Sequence, residues 1–562
     1  MNDTYDFIIV GGGTAGNVVA GRLAENPNLK ILLIEAGVDH PKEIPEITTP
    51  ARAFELRNSQ YDWAYQTVFV DKPDYERLEK PNTCGKVLGG SSSLNYFTWI
   101  RGRKATFDEW AGYGGDAWSW DGCEKYFEKT WSRWPAPYFP RNLAPEMKPF
   151  REALIQAWTG MGHPIKEDIF SGQMEGLTHC VTSIYKGVRS KSAVFVEGKN
   201  NIYIMSSTIA KKINFEGEVA TSVTILRHDN SETTFKARRE IILAGGVFET
   251  PKLLLLSGIG PRTELAHHGI EAIITSEHVG ENLLDHPILP HVFQLKDGLG
   301  LDSYLLRDGA AHHGALKEYY DEETGPLASG LLELVALPRI DSRLEKYEEY
   351  RKAKAANDGK DPFGPEGQPH FEIDFVPMFA DAFQWHFPVP PEGDWLTVIV
   401  DLVRPLSRNG VVHLTSLDPR EQPHINLNYF SNELDILALR EGVRFIDDII
   451  MKGDGMKDII GKDYPWPMPR DSDEEMNQVV LDRSQTGFHP CGTARLSKDI
   501  EQGVVDPDLR VHGTKNLRVV DASIIPVIPD CRIQNAVYMV GEKGADIIKA
   551  AYPSIYGQYQ EA

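Results

Sequence analysis

Tyr5-Asp6-Phe7-Ile8-Ile9-Val10-Gly11-Gly12-Gly13-Thr14-Ala15-Gly16 decides the fold of this chain. The first six residues form a short, mostly apolar run of the kind that makes a buried strand. Glycines follow at once, and Asn17 to Glu25 then has helical spacing, with Val18, Val19 and Leu23 apolar. Lys30 to Ile34 predicts a second strand, closed by Glu35. Strand, glycine turn, helix, strand and acid together predict a dinucleotide-binding unit. Gly11 permits the tight turn, Gly13 lets the backbone approach a pyrophosphate, and Gly16 lets helix and sheet come close. The helix start, with Thr14 and Ala15, offers free N–H groups to the anion. Glu35, followed by Ala36, stands 19 positions after Gly16, where a ribose-binding carboxylate is expected. A glycine turn that merely packed tightly would leave Glu35 unexplained. The pattern alone does not separate NAD from FAD.

The rest of the chain sets bounds on function. Its 562 residues are 41% hydrophobic and 25% charged, an ordinary globular composition that can bury a large core without disulfide staples. Lys plus Arg total 59 and Asp plus Glu total 81, a net charge of −22. That field repels phosphate backbones, so no nucleic-acid partner is expected, and an anionic substrate needs a local cation. No run approaches the roughly 20 apolar residues of a membrane span. Met1-Asn2-Asp3-Thr4 lacks the positive start of a signal peptide, and Gln560-Glu561-Ala562 is no peroxisomal tripeptide. Cysteines 84, 123, 180, 491 and 531 contain no CxxC pair, which argues against zinc or a disulfide framework. The expected setting is cytoplasmic, with no membrane partner, no metal, and an oligomeric state the sequence leaves open.

Gly85-Lys86-Val87-Leu88-Gly89-Gly90-Ser91-Ser92-Ser93-Leu94-Asn95 is a polar loop able to donate many hydrogen bonds to a cofactor. Further on come Gly246-Val247-Phe248-Glu249-Thr250-Pro251, Ser257-Gly258-Ile259-Gly260, and Val279-Gly280-Glu281-Asn282-Leu283-Leu284-Asp285-His286-Pro287. Asn516-Leu517-Arg518-Val519-Val520-Asp521-Ala522-Ser523 closes the series. With these motifs in order along nearly the whole chain, the sequence resembles the glucose–methanol–choline family of FAD oxidoreductases. Val247 departs from the small residue usual in its motif. The resemblance implies an α/β Rossmann-type FAD domain and a substrate domain built on an antiparallel sheet with helices. It divides the chain into FAD-domain pieces at 1–150, 188–290 and 476–562 and substrate-domain pieces at 151–187 and 291–475. It also implies that Gly89, Gly90, Ser91, Ser92, Asn95, Ile209, Asp521, Ala522, Asn535 and Ala536 lie along the cofactor. The alternation in His370-Phe371-Glu372-Ile373-Asp374-Phe375 and Trp395-Leu396-Thr397-Val398-Ile399-Val400 agrees with an antiparallel sheet.

The family places a His before the flavin, with a second His or an Asn some forty residues later. The resemblance implies His489, in Phe488-His489-Pro490-Cys491-Gly492, for the first. The second slot falls on Arg532, in Asp530-Cys531-Arg532-Ile533-Gln534-Asn535. A neutral imidazole can take the proton of an alcohol, whereas an arginine, with a pKa above about 12, cannot. Arginine binds carboxylate through two N–H donors instead. Formate is the simple carboxylate with a hydride on the carboxyl carbon, and its oxidation needs no base. The block around Arg532 and the loop Phe383-Gln384-Trp385-His386-Phe387 resemble the fungal formate oxidases of this family. The expected reaction moves a hydride from formate to flavin N5, giving CO2, and reduces O2 to H2O2. FAD can be present there as 8-formyl-FAD. His489 is expected to orient formate and assist oxygen reduction, in a small closed cavity lined by Trp385 and Phe387. Cys491 and Cys531 are read as small packing residues. The competing readings are an aryl- or aliphatic-alcohol oxidase or dehydrogenase using His489 alone, and a hydroxynitrile lyase that keeps a structural flavin.

Overall fold

Phe7, Ile8 and Ile9 are wholly buried, so the N-terminal run becomes the middle of a sheet rather than its edge. The computed structural model describes residues 4–70, 79–131, 144–167, 170–365, 367–383 and 387–557. The elements that frame the site begin with strand β1 (Thr4–Val10), helix α1 (Thr14–Leu23) and β2 (Ile31–Ile34). Next come β3 (Gly176–His179), β4 (Ile202–Met205), β5 (Thr208–Glu216), β6 (Val219–Arg227) and β7 (Glu232–Leu243). Helix α2 (Gly246–Leu256) precedes β8 (Pro287–Leu295), β9 (Leu334–Leu337), β10 (Phe371–Val376) and β11 (Asp394–Leu402). Then follow α3 (Leu434–Lys452), β12 (Ile460–Tyr464), β13 (Gln485–Thr486), β14 (Leu517–Val519) and α4 (Gln534–Ala550).

One seven-stranded sheet runs β4-β2-β1-β7-β6-β5, with β14 beside β7. Its β4, β2, β1, β7 and β14 pairings are parallel; β5 and β6 extend it antiparallel. The glycine turn therefore opens at the carboxyl end of a central parallel strand, where ligands of such sheets bind. α1 and α4 cross closely because Gly541 lies against Ala15 and Val18.

A second seven-stranded sheet is antiparallel throughout, in the order β12-β8-β11-β10-β9-β3, with β13 on β8. The alternating polar residues of β10 and β11 do not face water, since every residue of both strands is buried. Phe371, Ile373, Phe375, Val398 and Val400 pack in one apolar core with residues of α3 such as Leu439, Val443 and Ile446. The opposite face carries Asp374 and Asp401 to a cavity between the two sheets. Side chains alternate across a strand, so an acid at every second position forms a charged row inside the protein.

Candidate active site

Gly11 has φ +106°, and a Cβ there would overlap the carbonyl of Ala244; one on Gly16 would overlap the carbonyl of Gly11. These two glycines are required by the protein's own packing. Gly13 differs: the nearest atoms to a Cβ there are 3.9 Å away, and the residue borders a long cavity. The open space at Gly13 is a cradle for a ligand. α1 starts at Thr14 with no side-chain cap, so its first N–H groups remain available beside that space. Glu35 lines the cavity while its Oε2 accepts the Gly12 N–H (2.9 Å) and its Oε1 the Gly37 N–H (2.8 Å). Each carboxylate oxygen keeps a lone pair for a ribose hydroxyl. These residues fit a dinucleotide.

Ala36, Gly90, Ser91, Ser92, Asn95, Ile209, Asp521 and Ala522 also line the cavity, as do Thr14 and Ala15. Four expected cofactor residues do not: Gly16, Gly89, Asn535 and Ala536 lie behind its wall. Gly89 makes the turn (φ +103°) and donates its N–H to Gly12 O at 2.7 Å. Asn535 and Ala536 are buried in the first turn of α4, and Ile533, Gln534 and Val537 stand at the cavity instead. Helical spacing explains this, because Gln534 and Val537 share a face that Asn535 does not. Asp521 has a second duty: its Oδ2 accepts from Gly246 N (2.9 Å) and Thr250 Oγ1 (2.6 Å), tying α2 to the turn after β14.

The other end of the cavity holds His489 and Arg532. Pairing of Pro287 with Thr486, and the Leu284–Cys491 bridge, bring the segment after β13 against the start of β8. Asp285 Oδ1 accepts the N–H groups of both His286 and His489, each at 2.9 Å. The two imidazoles then meet, Nδ1 to Nδ1, at 3.0 Å. Burial, with His286 and Arg532 adding, holds His489 well below its usual range; burial takes His286 down to about 3. Both are neutral at pH 7. With Nδ1 engaged, His489 has Nε2 left for the cavity.

Arg532 is held within the protein by three side chains. Its Nη2 donates to Asp374, its Nη1 to Thr98 Oγ1, and its Nε lies 3.6 Å from Glu372. Burial works against its charge, yet Asp374 and Glu372 hold its pKa above the ordinary value. The carboxyls shift too. Burial pushes Glu372 up to about 7, Arg532 opposing and Asp374 adding. Burial also raises Asp374, against Arg532, and raises Asp401 well above the usual range, with Glu372 adding. One guanidinium thus faces three buried carboxyls, and the cluster retains protons near neutral pH.

Sequence reading missed His286, Glu372, Asp374 and Asp401. The available signal was acids at alternate positions in a strand that was otherwise apolar. Phe387 does not line the cavity; it packs against Trp466 (centroids 5.4 Å apart), and Phe383 lines the cavity in its place, with Tyr96, Ile288 and Ile399. Trp385 lies outside the described residues. Cys491 and Cys531 are buried and unpaired, and burial pushes both thiols up, as packing residues require.

Family models described as GMC oxidoreductase match residues 5–288 and 405–541. An oxygen-dependent choline dehydrogenase of Citrobacter koseri is 32% identical over 568 residues, covering 98% of this chain and 96% of that protein. A solved formate oxidase is 57% identical with a TM-score of 0.96, covering 98% of this chain and 99% of the other. A variant of the Aspergillus oryzae formate oxidase, solved for its effect on FAD modification, has the same identity, coverage and TM-score. This chain belongs to the GMC oxidoreductase family.

Proposed function

We propose that this protein is an FAD-dependent formate oxidase. The observation that carries the reading is Arg532 and neutral His489 on one wall of the cavity that starts at Gly13. The likeness to formate oxidases supports it. Gly11, Gly13, Thr14, Ala15, Glu35, Ala36 and the Gly90–Asn95 loop would hold FAD. Bound FAD supplies the two-electron acceptor for the formate hydride and passes the electrons to O2. The flavin is either unmodified or 8-formyl-FAD, and its mass decides between the two.

The protein's own part is binding, orientation and proton supply. Arg532 Nη groups hold the formate oxygens, and His489 Nε2, in its protonated tautomer, donates to one of them. The Nδ1 contact with His286 fixes that tautomer when His286 is the donor. No base is needed, because formate has no hydroxyl proton to lose. The balance is HCOO⁻ + H⁺ + O2 → CO2 + H2O2. Formate brings a further negative charge to Arg532, so the carboxyl cluster takes up a proton as it binds. That proton is the one the peroxide needs. CO2 is neutral and loses its hold on Arg532. A fixed guanidinium on this wall opposes a cationic substrate such as choline and cannot serve as the base of an alcohol oxidase.

The same reading divides the chain at 150, 187, 290 and 475, and five unpaired cysteines support a reducing cytoplasmic setting. Among the described residues no helix is long and apolar enough to cross a membrane. The test is anaerobic formate followed by air. Formate should bleach the flavin and air should return one H2O2 per formate; faster bleaching by benzyl alcohol would overturn the proposal.

A further inference from the structure

A second cavity, about 600 Å³, opens between the Thr48–Thr49 segment, the stretch from Tyr185 to Lys191, and the helix Ala310–Glu322. Two cations on its wall are buried, Arg189 at 3% exposure and Lys191 at 7%. Arg189 donates through Nε to Ile47 O (2.7 Å) and through Nη1 to Asn95 O (2.8 Å) and Asn95 Oδ1 (2.9 Å). Its Nη2 has no hydrogen-bond partner, and none of its partners is a carboxylate. The Lys191 carbonyl accepts the Val194 N–H (3.3 Å), but its ammonium makes no hydrogen bond or ion pair with the described residues. The carboxylate that acts on it is Glu197, already paired with Lys42 at 2.7 Å. Burial, with Arg189 adding, takes the Lys191 ammonium down to about 8. The buried Arg189 Nη2 is without a counterion, which is costly, and the Lys191 ammonium is unpaired beside the cavity, so the place is prepared for an anion.

The walls say which anion. Val188, Val194 and the rings of Tyr185, Tyr319 and Tyr320 give the cavity an apolar side, and Tyr320 is 61% exposed. Glu43, Glu197 and Glu323 also line it and disfavour a multiply charged ligand such as phosphate. We propose that this cavity binds an organic monocarboxylate with an apolar body, its carboxylate on Lys191 and its body against Tyr320 and Val188. Arg189 borders this cavity and holds Asn95 of the first one, so a single side chain joins the two.

The test uses the flavin-loaded Arg532→Ala protein, in which the anion anchor of the first cavity is gone, titrated calorimetrically with benzoate. Benzoate should bind at one site, and adding Lys191→Met should weaken it by about tenfold or more. Tyr320→Ala, at an exposed position that leaves folding intact, should weaken it by about threefold. Inorganic phosphate should bind at least about tenfold more weakly than benzoate. The proposal fails if benzoate does not bind, if phosphate binds as tightly, or if Lys191→Met leaves the affinity unchanged. Should Lys191→Met not fold, an unchanged affinity in Tyr320→Ala overturns it alone. Flavin reduction by formate in the unaltered protein is measured separately, so failure of the oxidase reading leaves this result standing.

Discussion

The two ends of the main cavity are built in opposite ways. The nucleotide end is made by backbone, from a turn, a helix start and a strand end within Val10 to Ala36. The proposed catalytic end is made by side chains from Asp285, His286, Glu372, Asp374, Asp401, His489 and Arg532, far apart in sequence and joined by sheet pairing. Geometry governs the first end and charge the second, so they should fail differently.

Gly11→Ala should have the largest effect. It forces a side chain into positive φ and into the Ala244 carbonyl, at a cost of about 3 kcal/mol or more. The expected result is little folded yellow protein, read by thermal melting and flavin absorbance. Gly13→Ala sharpens the contrast: it should melt near the unaltered protein but bind FAD at least about tenfold more weakly. Equal melting of the two variants would break the distinction between a glycine the fold needs and one the ligand needs.

At the other end, Arg532→Ala should lower kcat/KM for formate about 100-fold while FAD content stays normal. Arg532→Lys keeps a charge without the fork and should recover only part of it. Near-normal turnover in Arg532→Ala would remove the carboxylate anchor from the argument.

The acid dependence should be smaller but diagnostic. Protonated carboxyls favour the formate anion, so affinity is greatest below the cluster's titration and falls as pH rises through about 7, the value for Glu372. KM for formate should climb by up to about tenfold per pH unit there. Glu372→Gln should flatten the climb. A KM independent of pH from 5 to 9 would refute coupled proton uptake. His286→Asn, which loosens the His489 ring, should cost only about fivefold in kcat, with the pH profile retained.

The same contrast explains what could be read before the structure. Strand, turn, helix and acid lie within one short window, so Gly11, Gly13 and Glu35 were legible from local physics. His489 and Arg532 rest on motif resemblance, and no sequence rule connects Arg532 with Asp374, 158 positions away. Glu372 and Asp374 were seen as the polar half of an alternating strand. Only the packing of β10 against α3 on one side and the cavity on the other shows that this half is interior. Asn535 and Ala536 lie beside Ile533, Gln534 and Val537, which line the cavity, and spacing from a motif does not say which face of α4 turns to it.

Strand β7 pairs with β1 on one side and with β14 on the other, and α4 lies across α1. Strand β1 therefore shares its sheet with a strand made more than 500 residues later. Contacts of such sequence separation form slowly, and the unpaired edge of β7 stays available for wrong partners until Leu517–Val519 arrives. The sheet that carries the glycine turn is then completed only once Leu517–Val519 has been made. A nascent chain stopped short of Asn516 leaves that edge open and becomes a substrate for chaperones rather than for FAD.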